Sequence, residues 1–234
     1  MTRFLEALAE APLPLVMEVK PRAADGTDLL RGRRVADLVA RYEAAGAPCL
    51  SVVTGRWFGG TPDLLRDVVA CTDLPVLRKD FLTRREQLVA SRDLGASAVL
   101  LTAQLLPAVA LRTLVLQALD LGLTPFVEVV DETEIASVVA AERCVVAVNN
   151  RDVRDGERTG AGPARSLALL DAVRRTGCRV PVSASGIDSP QVARTMLDAG
   201  YRGLLVGTAL LRHDGSTADL SAWTALARRE AVPA

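Results

Sequence analysis

The chain has 234 residues, half of them hydrophobic, and its 28 basic residues balance 28 acidic ones. A net charge of zero excludes the electrostatic footprint of a nucleic-acid or anionic-membrane binder, and there is no apolar run of the roughly 18 residues that a membrane span needs. Cys49, Cys71, Cys144 and Cys178 lie far apart, with no C-x-x-C and no nearby histidine, so they read as reduced thiols rather than metal ligands.

In chain order, residues 1–14 form a short N-terminal segment without the apolar core of a secretion signal, which points to the cytoplasm. Short apolar runs then recur at 15–20, 49–54, 75–80, 97–102, 125–130, 144–150, 180–186 and 203–208. Each is rich in Val and Leu, the pattern of strands buried on both faces of a parallel sheet. Between them lie amphipathic stretches with matching start and stop signals. Thr61-Pro62, Asp131 and Ser189-Pro190 open helices, and Gly46, Gly95, Gly122, Gly177 and Gly200 close them. The near-copied AGA, LGAS and AGYRG turns suggest repeated βα units. Strand-then-helix repeats with no break in composition predict an α/β fold, a closed (β/α)₈ barrel in one domain spanning 1–234. Its strands and active face occupy 15–212, and a C-terminal helix occupies 213–234. An open doubly wound sheet fits less well, because the turn after the first strand has no G-x-G-x-x-G. His213, the only histidine, reads as a solvated helix-end residue.

Among the basic residues only Lys20 and Lys79 are lysines. Arginine keeps its proton in a protein, whereas a desolvated ammonium can give it up. Both lysines close apolar runs, at the barrel end where active sites sit. Strand alternation puts Glu18 and Lys20 on one face of the first strand. Lys79 ends the third, Glu128 lies late in the fifth and Asn149 ends the sixth. Charges buried in a barrel wall are costly unless paired, so these polar intruders imply a shared site. The last two strands run into Ser183 to Gly186 and Val206 to Leu210, turns that expose backbone N–H groups to an anion. A phosphorylated small molecule is the expected ligand.

The stretches EVKPR, SVVT, FGG, PVLRKDF, ASAVLLT, FVEVVDE, VNNRD, SASGI and GLLVGTALL resemble, in order and spacing, the signature of indole-3-glycerol phosphate synthases. The resemblance runs from about residue 15 to 212. It implies ring closure of 1-(2-carboxyphenylamino)-1-deoxyribulose 5-phosphate with loss of CO₂ and water, in tryptophan biosynthesis, with no metal and no organic cofactor. By the same resemblance Lys79 is the general acid and Glu128 the second acid/base group, whose partial burial would favour its protonated form. Lys20 holds the substrate carboxylate, Glu18 orients the lysines, and Asn149 and Arg151 contact the sugar and carboxylate. Phe58, Phe81 and Leu100 surround the anthranilate ring, while Ser185, Gly186, Gly207 and Thr208 hold the phosphate. Phe58 reads equally well as loop packing, and Glu18 with Lys20 as a structural ion pair. The expected assembly is a monomer or weak homodimer.

Three departures stand out. The family's loop after the first strand reads K-R-x-S-P-S-x-G, and here it is KPRAADG, with Ala23, Ala24 and Asp25 in place of the Ser-Pro-Ser core. Asp25 adds a negative charge near an anionic ligand. The family's A-E-S-G at the end of strand seven is here Ser183-Ala184-Ser185-Gly186, so a carboxylate is missing at 184. The segment before the first strand is short, which leaves the active face less covered. These departures keep three alternatives open: a specialised homologue acting on a modified anthranilate-derived or other sugar-phosphate substrate, a non-catalytic phosphate-ligand-binding relative, and a lyase that forms a Schiff base at Lys79.

Overall fold

A computed structural model of the chain describes residues 2–151, 162–212 and 217–227. A helix, Arg3–Glu10 (α1), precedes Leu15–Val19 (β1), Val35–Ala44 (α2), Cys49–Val53 (β2) and Pro62–Val69 (α3). Then come Val76–Lys79 (β3), Arg85–Asp93 (α4), Ala98–Thr102 (β4), Ala108–Asp120 (α5), Thr124–Val129 (β5) and Glu132–Ser137 (α6). Val145–Asn149 (β6), Pro163–Arg175 (α7), Val180–Ala184 (β7), Pro190–Ala199 (α8), Gly203–Val206 (β8), Thr208–Arg212 (α9) and Thr217–Thr224 (α10) complete the order. The strands form a closed parallel barrel, β1 to β8 in sequence order, with β8 pairing back onto β1. The fold is a (β/α)₈ barrel.

The helix signals act as expected. Thr61, Asp131 and Ser189 each accept a hydrogen bond from the backbone N–H three residues on, satisfying a donor that the first turn leaves open. Such a cap is worth about 1 kcal/mol. Gly200 ends α8 with φ 112°, a left-handed conformation that a side chain would strain.

Strand alternation divides the apolar residues into two layers. The outward positions, such as Leu50, Val52, Val99, Leu101, Val127 and Val146, pack beneath the helices. The inward ones, Val16, Cys49, Leu77, Ala98, Leu100, Phe126, Val145, Ala147, Val180, Val182, Ala184 and Leu205, fill the barrel. Residues 1–14, read from sequence as a short segment, contain a helix. Its Phe4, Leu5 and Leu8 are buried in that interior cluster. The Phe4 ring meets Phe126 edge-on at 6.4 Å, and Cβ of any side chain at Gly203 would lie 3.2 Å from Leu8. Cys49 and Gly203 are the first residues of their strands, so α1 seals the end of the barrel opposite the strand termini.

Of the helix expected over 213–234, the described residues include Thr217–Thr224, which continues into a 3₁₀ turn, Ala225–Ala227, with Leu220, Trp223 and Leu226 buried. His213 lies outside the described residues. Among the described residues no helix is long and apolar enough to cross a membrane.

Candidate active site

Register builds the polar layer. Glu18 pairs with Ser51, Val53 with Lys79, Thr102 with Glu128, and Asn149 with Ala184, so the inward positions at the C-terminal ends of the strands lie at one level. Glu18, Lys20, Lys79, Glu128 and Asn149 are all buried. Charges removed from water this far need partners. Lys79 Nζ lies 3.8 Å from Glu18 Oε2, and Ser51 Oγ donates to the same oxygen at 3.5 Å. Lys20 follows the last residue of β1, and its Nζ stands 3.9 Å above the centroid of the Phe58 ring, a cation–π contact. Phe58 therefore both packs the loop and seats a lysine.

Gly207 has a steric reason to be glycine beyond the anion-binding role read from sequence. A Cβ there would lie 2.3 Å from Glu18 Oε1, so only a bare backbone leaves room for the carboxylate.

Two cavities open at this end. One, of about 160 Å³, is lined by Glu18, Lys20, Lys79, Arg151, Ser185, Gly186, Gly207, Thr208 and Arg212 among others. The other, of about 20 Å³, is an apolar cleft lined by Val53, Gly55, Trp57, Phe58, Lys79, Asp80, Phe81, Leu100 and Glu128. Lys79 borders both. The cleft gathers Phe58, Phe81 and Leu100 with Glu128, and the larger cavity gathers Arg151 with the four residues at the ends of β7 and β8. Asn149 borders neither cavity. It is fully buried with its Oδ1 accepting from Arg151 N at 3.0 Å, and its Nδ2 meets no hydrogen-bond partner among the described residues. A buried amide donor left without any partner costs about 1–3 kcal/mol.

Residues facing away from the barrel axis hold these strand ends in place, and sequence reading gave them no role. Behind Lys79, the buried Arg78 donates to Thr54 Oγ1 at 3.1 Å, Ser91 Oγ at 3.1 Å and Asp80 Oδ2 at 3.2 Å. Thr54 Oγ1 in turn donates to Asp80 Oδ2 at 2.7 Å. Behind Asn149, Asn150 Nδ2 donates to Ser183 Oγ at 3.1 Å, Ala184 O at 3.2 Å and Ser185 O at 3.0 Å. Its Oδ1 accepts from Ser166 N at 3.1 Å and Ser166 Oγ at 2.9 Å. Tyr201 OH closes the set on Ser166 O at 2.7 Å, and burial pushes its phenol up to about 12, which keeps it a donor. This network grips Ser185, whose φ of +64° precedes a φ of +67° at Gly186. A non-glycine residue held there costs on the order of 1–2 kcal/mol. Strand alternation was the available signal: a polar residue next to an inward one must face the helix layer and find partners there.

Ala23 is buried in the core, its N–H donating to Thr27 O at 3.0 Å, and Arg22 pairs with Asp28 in a short antiparallel bridge. Asp25, which adds a negative charge at this end, lies 3.3 Å from Arg212. Ala184 is fully buried within the apolar interior, so this strand brings no carboxylate to the lysines. Trp57, not singled out from sequence, is 61 % exposed and stacks on Phe81 at 5.0 Å at the mouth of the apolar cleft.

A family model described as indole-3-glycerol phosphate synthase matches residues 1–222. Indole-3-glycerol phosphate synthase 2 of Streptomyces coelicolor is 37 % identical over 210 residues, covering 89 % of this chain and 80 % of that protein. Indole-3-glycerol phosphate synthase of Bordetella pertussis is 32 % identical over 217 residues, covering 92 % and 81 %. Among solved structures, 3-hexulose-6-phosphate synthase from Salmonella typhimurium superposes with a TM-score of 0.71 at 14 % identity, covering 91 % of this chain and 97 % of that one, a likeness of fold.

Proposed function

We infer that this chain, which belongs to the indole-3-glycerol phosphate synthase family, is a carboxy-lyase that closes the ring of 1-(2-carboxyphenylamino)-1-deoxyribulose 5-phosphate. The ring carbon bearing the carboxylate attacks the C2′ carbonyl, whose oxygen takes up a proton. CO₂ then leaves from that ring carbon and restores the aromatic ring, and loss of the C2′ hydroxyl with a proton from C1′, as water, gives the indole.

The observation that carries this reading is the position of Lys79 between two unlike cavities. The apolar cleft, with Phe58, Phe81 and Leu100, suits the aryl ring, and the polar cavity suits the sugar phosphate. A substrate laid across both brings its C2′ carbonyl to the ammonium between them. In this reading Lys79 is the general acid, and Glu18 at 3.8 Å holds it charged and aimed. Glu128, in the cleft beside Lys79, serves as the base and acid of the dehydration. Lys20 and Arg151 take the carboxylate, the guanidinium being suited to bidentate contact. Asn149 donates its amide to the substrate sugar. The turns at Ser185, Gly186, Gly207 and Thr208 take the phosphate, and Asn150 holds the first of them so that less ordering is needed at binding. With one barrel domain spanning 1–234, we further propose a cytoplasmic monomer or weak homodimer with no metal and no cofactor, a state that sedimentation of the purified protein tests.

The test of the activity is indole fluorescence on adding the carboxyphenylamino-deoxyribulose phosphate. Wild type should turn over, and Lys79→Ala and Glu128→Ala should each lose on the order of 10²–10⁴-fold in kcat. Folded, pure protein that makes no indole product would sink the reading.

A further inference from the structure

The proposed function leaves one cation of the polar cavity unused. Arg212 lines that cavity together with Thr208, and the two stand four residues apart on α9, so they share a face of the helix. Its guanidinium is contacted by a carboxylate that the family pattern lacks, Asp25, whose Oδ2 lies 3.3 Å from Arg212 NH2. Asp25 is firmly placed. Its Oδ1 accepts from Thr27 N at 3.0 Å, and the side-chain and then the backbone hydrogen bond of Thr27 lower its pKa more than Arg212 does, keeping the carboxylate charged. The loop that carries Asp25 is tied to the same helix by a separate contact, Arg33 NH2 donating to Leu211 O at 2.8 Å. The pair at the mouth is thus a local contact on a segment already anchored.

We propose that Arg212 is a further ligand of the substrate phosphate and that Asp25 sets its strength by competing for the same guanidinium. The inference rests on the reading of the β7 and β8 turns as the phosphate site. One guanidinium nitrogen meets Asp25, while the group carries five N–H donors in a planar fork suited to phosphate oxygens. Both side chains of the pair are 57 % exposed, so water and salt screen their attraction, and an incoming dianion offers the guanidinium a stronger partner. The carboxylate that looked hostile to an anionic ligand becomes a counter-ion that yields to it. The consequence is a phosphate end in which affinity is tuned from the rim loop without touching Lys79 or Glu128.

The experiment measures KM for the substrate and Ki of inorganic phosphate as a competitor in wild type, Arg212→Gln, Asp25→Asn and the double variant. Arg212→Gln should raise both constants about tenfold, and Arg212→Lys should recover part of the loss. Asp25→Asn should lower both by about two- to threefold, and this gain should vanish in the Arg212→Gln background. If phosphate competes in wild type but neither variant moves the constants, Arg212 is no ligand and the inference falls while the phosphate site stands. If Asp25→Asn weakens binding, Asp25 positions Arg212 rather than competes for it, and the tuning is overturned. If phosphate does not compete in wild type at millimolar concentration, the phosphate reading falls and this inference falls with it.

Discussion

Asn149 and Asn150 are neighbours with the same side chain and opposite fates. Asn150 faces the helix layer, and both its amide nitrogen and its amide oxygen are engaged by Ser166, Ser183 and the β7 backbone. Asn149 faces the barrel axis, and its amide nitrogen meets no partner among the described residues. Arg78 and Lys79 repeat the division at the end of β3, three strands away. Arg78 is bound by Thr54, Ser91 and Asp80, whereas Lys79 borders both cavities, with Glu18 at salt-bridge distance. One residue of each pair is tied into the helix layer and the other faces the barrel interior. The pleat of the strand alone makes the separation, and it lets the protein rigidify a strand end from the side away from the barrel axis.

The widest gap is expected at the cationic pair. Lys79→Ala should lose on the order of 10²–10⁴-fold in kcat, while Arg78→Ala should leave kcat within about tenfold; each should cost about 3 kcal/mol in a urea melt, because each removes a buried cation beside a carboxylate, Glu18 or Asp80. An Arg78 variant that lost kcat like Lys79 would erase the distinction. Gly207→Ala comes next. Its Cβ must push Glu18 off Lys79, so kcat should fall by about tenfold or more while inorganic phosphate still binds. The asparagine pair follows. Asn150→Ala should cost about 2 kcal/mol, some 4–8 °C in Tm for a chain of this size, and Asn149→Ala under about 1 kcal/mol, with its larger effect on KM. Equal melting temperatures for the two would break the comparison.

The smallest effect concerns thiols. Cys71 is exposed and Cys49, Cys144 and Cys178 are buried, so a thiol reagent should titrate one group in the native protein and the other three on unfolding. Burial pushes the Cys144 thiol from 9.0 up to about 12. A raised folded pKa means stability fully present below about pH 9 and lost as pH climbs toward 12, so urea midpoints should fall over that interval.

The strands and helix caps were legible because each signal is local. Alternation, a Thr-Pro at a start and a glycine at an end act within one turn. The inward polar set was legible for the same reason, since Glu18, Lys79, Glu128 and Asn149 each interrupt an apolar run at its C-terminal end. What stayed hidden depends on partners far along the chain. Asn150 reaches Ser183, 33 residues on, and Asp25 reaches Arg212, 187 residues on. Parity says which way such a side chain points and nothing about what waits there. The role of α1 was hidden too, because an amphipathic octet can cover either end of a barrel. Only the packing of Phe4 on Phe126 decides which.

The scarcity of lysine has a use outside catalysis. Lys20 and Lys79 are the only lysines in the chain, 3 % and 8 % exposed, each at the end of a barrel strand. A protease that cleaves only after lysine therefore finds no extended, accessible site in the folded chain. Both of its sites become available only when the barrel itself opens. Its cleavage rate would report the global opening equilibrium directly, free of the background from fraying termini and loops that complicates proteolysis of other proteins.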